Sequence, residues 1–329
     1  MKTENQFEAA NIRMEDQELT VLSFGAGQDS TYILYKIIRD PFYRARFVTG
    51  DFIVVMSDTG DEHDHTYEHV CFIAKLCSEY EIEFHFLTAD QGYHPNTWQT
   101  LTSQMIRNSS IMSMMMPRSC TDNVKIKPFY NFLNVYIANK YYNQELPNST
   151  RNKTWIKRFA ADYGKINVIL GIAAGEEKRV KESKTELKKR QLDLFVKVKR
   201  KNHIVWMMNC ILKTYPMIAE GIDRKMAQDY ILATPWPLPP PSNCKRCPFL
   251  SKQEILWMYR FIPAEFYEWV AMEQAKIDKC SGLVRNLGVK GEKLLPEILA
   301  EAIAEYGHWT NDQLHEYKMS HGHCVLSKF

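Results

Sequence analysis

Val21–Ile38 reads VLSFGAGQDSTYILYKII, and the fold turns on how this stretch is read. Leu19 to Phe24 is a short apolar run with the character of a buried strand, whereas Ile33, Leu34, Ile37 and Ile38 recur at helical spacing from Ser30 onward. Gly25 and Gly27 lie between the two. A strand that turns into a helix over two glycines exposes successive backbone N–H groups and the positive end of the helix dipole, which together hold an oxyanion. The ligand expected there is a phosphate chain. A Walker loop would end in Gly-Lys-Ser/Thr, but the first lysine here is Lys36, and a dinucleotide loop would carry a third glycine where this chain has Ser30.

Working outward, the 329 residues are 45% hydrophobic with 14 glycines and 14 prolines, enough to bury one large domain or one and a half. No apolar run approaches the roughly 18 residues of a membrane span, so no membrane association and a cytoplasmic location are expected. Eight cysteines without a secretory signal point to thiols, metal ligands or a cluster rather than disulfides. The net charge of +3 does not by itself imply nucleic acid, but residues 178–201, KRVKESKTELKKRQLDLFVKVKRK, concentrate the basic side chains. Such a segment is a solvated surface or a polyanion-binding one.

Asp51 to Ser57 reads as a second strand, ending in Asp58-Thr59-Gly60, and in an open parallel sheet such an end lies beside the first loop. The spacing of Asp61, His63, Asp64, His65 and His69 fits no common metal-ligand set. Cys71 and Cys77 fall at helical intervals with Val70 and Ala74, as core packing would place them. A third strand covers EIEFHFLT, a helix opens at Pro128 and runs through Tyr142, and residues 143–165 read as irregular. Asn167 to Ile172 is the next buried strand, followed by Ala173 to Arg179. Strand and helix thus alternate in the doubly wound α/β pattern.

Gly25-Ala26-Gly27-Gln28-Asp29-Ser30 resembles the pyrophosphate loop (PP-loop) of the ATP pyrophosphatase and adenine-nucleotide α-hydrolase superfamily, usually Ser-Gly-Gly-x-Asp-Ser, with Gly25 and Ala26 departing at the first two places. With Asp58-Thr59-Gly60, Arg118-Ser119-Cys120-Thr121 before Lys125 and Pro128, and Gly171-Ile172 through Arg179, the order of motifs resembles the phosphoadenosine phosphosulfate (PAPS) reductase family. Tyr215-Pro216-Met217-Ile218 and Gly221-Ile222-Asp223-Arg224 extend the likeness, which spans roughly residues 19–275; Ala173 stands where those proteins carry an arginine. The resemblance implies an adenine-nucleotide α-hydrolase-like, Rossmann-like, mostly parallel sheet with a helical C-terminal extension. We divide the chain at 1–235 and 236–329.

The same resemblance implies ATP, or PAPS, held with Mg²⁺. Ser23, Gly25, Ala26, Gly27, Gln28, Asp29 and Ser30 would surround pyrophosphate, and Asp58, Thr59, Gly60, Gly171 and Glu176 would line the nucleotide. Asp29 and Ser30, with Arg118, Lys125 and Arg179 neutralising phosphate charge, would carry the chemistry. The expected reaction is cleavage between the α and β phosphates, adenylating an acceptor ahead of sulfur or amine transfer. A sulfur donor or a thioredoxin-like protein would be the partner, and nucleic acid could engage residues 178–201. Two alternatives are sulfonucleotide reduction and a nucleotide- or nucleic-acid-binding module without turnover. Cys324 would be the nucleophile of the reduction, although Gly322-His323-Cys324-Val325 lacks the flanking Glu and Gly of the family's Glu-Cys-Gly-x-His motif.

After the linker TPWPLPPPSN, Cys244-x-x-Cys247 offers two sulfurs from one turn, for zinc, an iron–sulfur cluster or a redox couple. His321 and Cys324 could complete such a set, with Cys120 and Cys280 as alternatives. Ser251 to Glu254 forms a capping box for a helix through Arg260, Pro263 opens another through Glu273, and Leu283 to Tyr306 has helical character.

Overall fold

The computed structural model describes residues 18–115, 119–177, 180 and 202–321, with the side chains of 108, 202–204, 320 and 321 left out of the description. Five strands form one sheet: β1 (Leu19–Ser23), β2 (Asp51–Ser57), β3 (Glu83–Leu87), β4 (Ile166–Leu170) and β5 (Ile211–Thr214). Their order is β3-β2-β1-β4-β5 and every pairing is parallel. The chain winds to one side from β1 to β3 and to the other from β4 to β5. The crevice beyond β1 and β4 is therefore the topological switch point, where ligands of doubly wound folds bind.

Both faces of this sheet are covered, which is why its central strands β1, β2 and β4 are buried along nearly their whole length. On one face α1 (Gln28–Arg39), with α2 (Pro41–Phe47) and α3 (Asp64–Glu79) following in the chain, brings Ile33, Leu34, Ile37, Ile73 and Leu76 onto Leu22 and Val54. The opposite face receives Phe129, Leu133 and Ile137 of the Lys127–Tyr142 helix. Asn167 is the polar exception within β4. It is fully buried, but its Nδ2 donates to the Phe47 carbonyl (2.9 Å) and Thr214 Oγ1 donates to its Oδ1 (2.6 Å).

The structure departs from the sequence reading in five places. Residues 143–165 are not wholly irregular: Thr154–Asp162 is a helix whose start is capped from a distance, Asn134 Oδ1 accepting from the N–H of Trp155 at 3.0 Å. Leu283 to Tyr306 is helical only over Leu295–Tyr306, the preceding turn being closed by a bridge between Gly288 and Gly291 with Val284 fully exposed. Cys77 is buried as expected, but Cys71 is exposed. The short strand β5 carries no signal strong enough to have been anticipated, and a π-helical turn, Asp122–Ile126, runs directly into the Lys127–Tyr142 helix.

After β5, Asp223 caps Arg224–Leu232 through the Met226 N–H (2.8 Å), as its place in the sequence suggests. The proline-rich stretch then crosses back over α1, where Tyr35 Oη donates to the Pro237 carbonyl (3.1 Å) and Gln28 Nε2 to the Pro239 carbonyl (3.0 Å). Beyond it Lys252–Phe261, Pro263–Lys279, Leu295–Tyr306 and Asn311–His321 pack around Ile255, Leu256, Phe266, Trp269, Leu295 and Leu314. The Ser251 capping box is present. No helix among the described residues is long and apolar enough to cross a membrane.

Candidate functional site

The loop after β1 is held from within. Phe24 N–H still bonds across to Val55 (2.9 Å), Ala26 turns into the left-handed region at φ +53°, and Gly27 becomes the N-cap of α1 with no side-chain cap. A left-handed backbone is the conformation that glycine adopts without strain, and Ala26 occupies it with its methyl buried in the core. Ser30 Oγ accepts from Gly25 N–H and donates to the Gly27 carbonyl, both at 3.2 Å. The first internal bond of α1 runs from Thr31 N–H to the Gly27 carbonyl (3.0 Å). The N–H groups of Gln28, Asp29 and Ser30 thus have no acceptor inside the helix, and they stand at the positive end of its dipole.

Two other segments close on this loop. Gly171, just past β4, lies so near that a Cβ there would sit 2.9 Å from Ser30 N and 3.1 Å from the Asp29 carbonyl carbon. Ser242, from the proline-rich crossing, lies over Gly27, with its Oγ 2.8 Å from where a Cβ would be. Between these walls is a cavity of about 180 Å³ at the sheet's carboxyl edge. Ser23, Gly25, Gly27, Gln28, Asp29, Ser30, Lys125 and Gly171 all line it, whereas Ala26 does not.

The charge around the cavity is mainly positive. Among the described residues Lys125, Lys213 and Arg224 line it, against Asp29 as the one lining carboxylate. Arg224 reaches Asp29 (3.7 Å) and bonds Glu176 (2.7 Å), so Glu176 holds the arginine in place. Lys125 approaches Glu62 at 3.3 Å. Lys213 sits deeper, and burial holds its ammonium pKa below the ordinary lysine range. Sequence reading missed Lys213, Arg224 and Ser242 as site residues. Arg224 belongs to a motif that was noted for another reason, and a lysine in the run ILKT carries no signal of its own.

Asp58, Thr59 and Gly60 form a turn beside the cavity and do not line it. Asp58 Oδ1 accepts from Gly60 N–H (2.9 Å) and Tyr67 Oη (3.0 Å), and burial raises its pKa. Thr59 is fully buried and donates to Glu62 (3.0 Å). The contribution of β2 to the wall is instead Val55, Met56 and Ser57. Arg118, Arg179 and the basic run 178–201, apart from the backbone of Val180, lie outside the described residues.

The Cys244-x-x-Cys247 turn is docked onto the segment after β2. Glu62 and Cys244 form a β-bridge, Lys245 N–H bonds the Asp61 carbonyl (2.7 Å), and Arg246 N–H bonds Asp61 Oδ2 (3.0 Å). The buried Arg246 guanidinium then joins Asp61, Glu265 and Glu268. Cys244 Sγ lies 3.6 Å from Thr59 Oγ1, and burial pushes its thiol pKa well up. Among the described residues no group of three or more His, Cys, Asp or Glu side chains is arranged to hold a metal ion. Cys120 packs near Leu101 and Val124, Cys280 caps the end of Pro263–Lys279, and both are free thiols. The His321 side chain and Cys324 lie outside the described residues.

The arrangement as a whole can hold a polyanion. The N–H groups at the start of α1, its dipole, Lys125 and Arg224 converge on the mouth of one cavity, with the Asp29 carboxylate to share a divalent cation with it. No family model matches the chain, and no curated protein matches it. Among solved structures, the U34-tRNA thiolase NcsA from Methanococcus maripaludis, with its [4Fe-4S] cluster, is similar at 10% identity and a TM-score of 0.35, covering 89% of this chain and 74% of that one. So slight a likeness bears on neither fold nor chemistry, which rest on this chain's own geometry.

Proposed function

We propose that the chain is an enzyme that binds ATP with its phosphates on the Gly25–Ser30 loop and cleaves between the α and β phosphates, adenylating an acceptor ahead of sulfur or amine transfer. The observation that carries this reading is the set of N–H groups at the start of α1, aimed into a cationic cavity at the switch point between β1 and β4. Neither Walker nor dinucleotide chemistry explains the loop, because it has no lysine at its end and no third glycine.

In this reading the loop N–H groups bind the pyrophosphate portion, and Ser30 keeps them in register through its bonds to Gly25 and Gly27. Lys125 and Arg224 neutralise charge that gathers on the leaving pyrophosphate, and Arg118 and Arg179 are further candidates for that task. Mg²⁺ characteristically takes one or two carboxylates plus phosphate oxygens, a donor set that Asp29 fits, and when bound it would supply charge neutralisation. Zinc or an iron–sulfur cluster at Cys244 and Cys247 would have to draw its other ligands from His321 and Cys324. The test is product analysis after anaerobic incubation with Mg²⁺ and ATP. AMP and pyrophosphate from the wild type, absent with Asp29→Ala, are expected; ADP and phosphate would refute the assignment.

One contact favours the reductase as a second reading. Gln28 Nε2 and Gln228 Nε2 both donate to the Met319 carbonyl, at 3.2 and 3.5 Å, which ties the last described helix to the phosphate loop. Cys324 follows five residues later in sequence. Release of sulfite from PAPS with thioredoxin, lost on Cys324→Ser, would establish it in place of the first.

A further inference from the structure

A cation taken out of water without a partner is unfavourable, and folded chains rarely keep one unless something outside the fold compensates it. Among the described residues Lys213 is such a cation. Its Cα pairs with Val168 in the parallel register, so it leaves the sheet on the face packed by Phe129 and Tyr130. It is half-buried on the cavity wall, burial lowers its pKa, and no ion pair joins it among the described residues. The other two lining cations are engaged, Lys125 with Glu62 and Arg224 with Glu176.

The position of Lys213 separates it from the phosphate loop. Val168 precedes Leu170, the last residue of β4, by two residues, so at about 3.3 Å per residue Lys213 starts about 7 Å below the sheet's carboxyl edge. Phe129, Tyr130, Val168, Leu170 and Met207 form the wall between. The cavity therefore has two ends of different chemistry, a mouth rich in N–H donors and an apolar chamber with one ammonium. Phosphates satisfy the mouth. A neutral purine or ribose cannot compensate the chamber.

We propose that this chamber is an acceptor subsite for a small carboxylic acid with an apolar body, its carboxylate on Lys213 Nζ and its body against Phe129, Val168 and Met207. The assignment rests on the nucleotide reading for the reaction but not for the binding. Calorimetric titration with benzoate, phenylacetate, 3-phenylpropionate and hexanoate, each against its neutral amide, tests it on the full-length chain without nucleotide. At least one acid should bind about tenfold tighter than its amide, Lys213→Met should abolish the difference, and Lys213→Arg should keep it.

Affinity for Mg·ATP, measured on the same proteins, should stay within about twofold of wild type in Lys213→Met, because the phosphates sit elsewhere. Lys213→Met should also melt at a higher temperature, since it removes an uncompensated cation while keeping the apolar stem. No acid–amide difference across the series would overturn the proposal, as would a Lys213→Met protein that loses ATP affinity about tenfold or melts lower. Failure of the wild type to bind ATP would refute the nucleotide reading while leaving the acid–amide comparison to decide the subsite.

Discussion

Replacing Gly171 by alanine tests how closely the strand end and the phosphate loop depend on each other. The new Cβ would lie 2.9 Å from Ser30 N, 3.1 Å from Asp29 C and 3.2 Å from Asp29 Cβ. Two of these are backbone atoms of α1, which no rotamer change can move. Ordinary contacts are about 3.5–4.0 Å, so the methyl overlaps the first turn by roughly 0.5 Å, and overpacking of this kind costs about 1–3 kcal/mol. The same shift displaces the N–H groups that are to meet phosphate. Losing even one charge-assisted hydrogen bond, about 1.5–3 kcal/mol, weakens binding by about tenfold or more. Gly25→Ala is the control, because its Cβ would meet only Ser242 Oγ and Ser30 Oγ at 3.9 and 4.0 Å. Urea denaturation and calorimetric titration with Mg·ATP are the assays. If Gly171→Ala matched Gly25→Ala in both stability and affinity, the close approach would have no bearing on the site.

Arg246→Ala should cost about 3–5 kcal/mol in urea denaturation, because it leaves the buried Asp61 carboxylate without its guanidinium; a loss under about 1 kcal/mol would contradict the docking role of the Cys244–Cys247 turn. Acid should destabilise the fold through its buried imidazoles. Burial lowers His63 to about 2 and His69 to about 4, from 6.5, so between pH 6.5 and 4 the unfolded chain binds more protons and stability falls with pH. At pH 5 the loss should be about 2 kcal/mol for each of the two, measured as a shift of the urea midpoint, and a flat profile down to pH 4.5 would contradict their burial as neutral rings. Asn134→Ala should cost about 1 kcal/mol or somewhat more, since it uncaps Thr154–Asp162, whereas Asn152→Ala, just before that helix, should cost less.

The parts of the fold that are local in sequence were legible in it. The β1 run, the two glycines and the α1 spacing lie within twenty residues, and each obeys a short-range rule that the structure keeps. What escaped depends on partners far away. Thr154–Asp162 begins without a cap of its own and borrows Asn134 from the neighbouring helix. The docking of the C-x-x-C turn depends on Asp61 and Glu62, more than 180 residues earlier, which are bonded to it. Nearer in sequence, the bonds that Gly60 N–H and Tyr67 Oη donate to Asp58 Oδ1 were likewise not signalled by the Asp58-Thr59-Gly60 motif. Lys213 is an unremarked residue in a four-residue strand, and only the register with Val168 brings it to the cavity.

Amide hydrogen exchange of the full-length chain, with and without Mg·pyrophosphate, tests most directly where the phosphates bind. Slowed exchange in peptides spanning Gly25–Ser30 and Gly171–Glu176 is the predicted result, because these segments meet at the start of α1. Protection around Cys244–Cys247 instead, or no change at saturating pyrophosphate, would contradict the account.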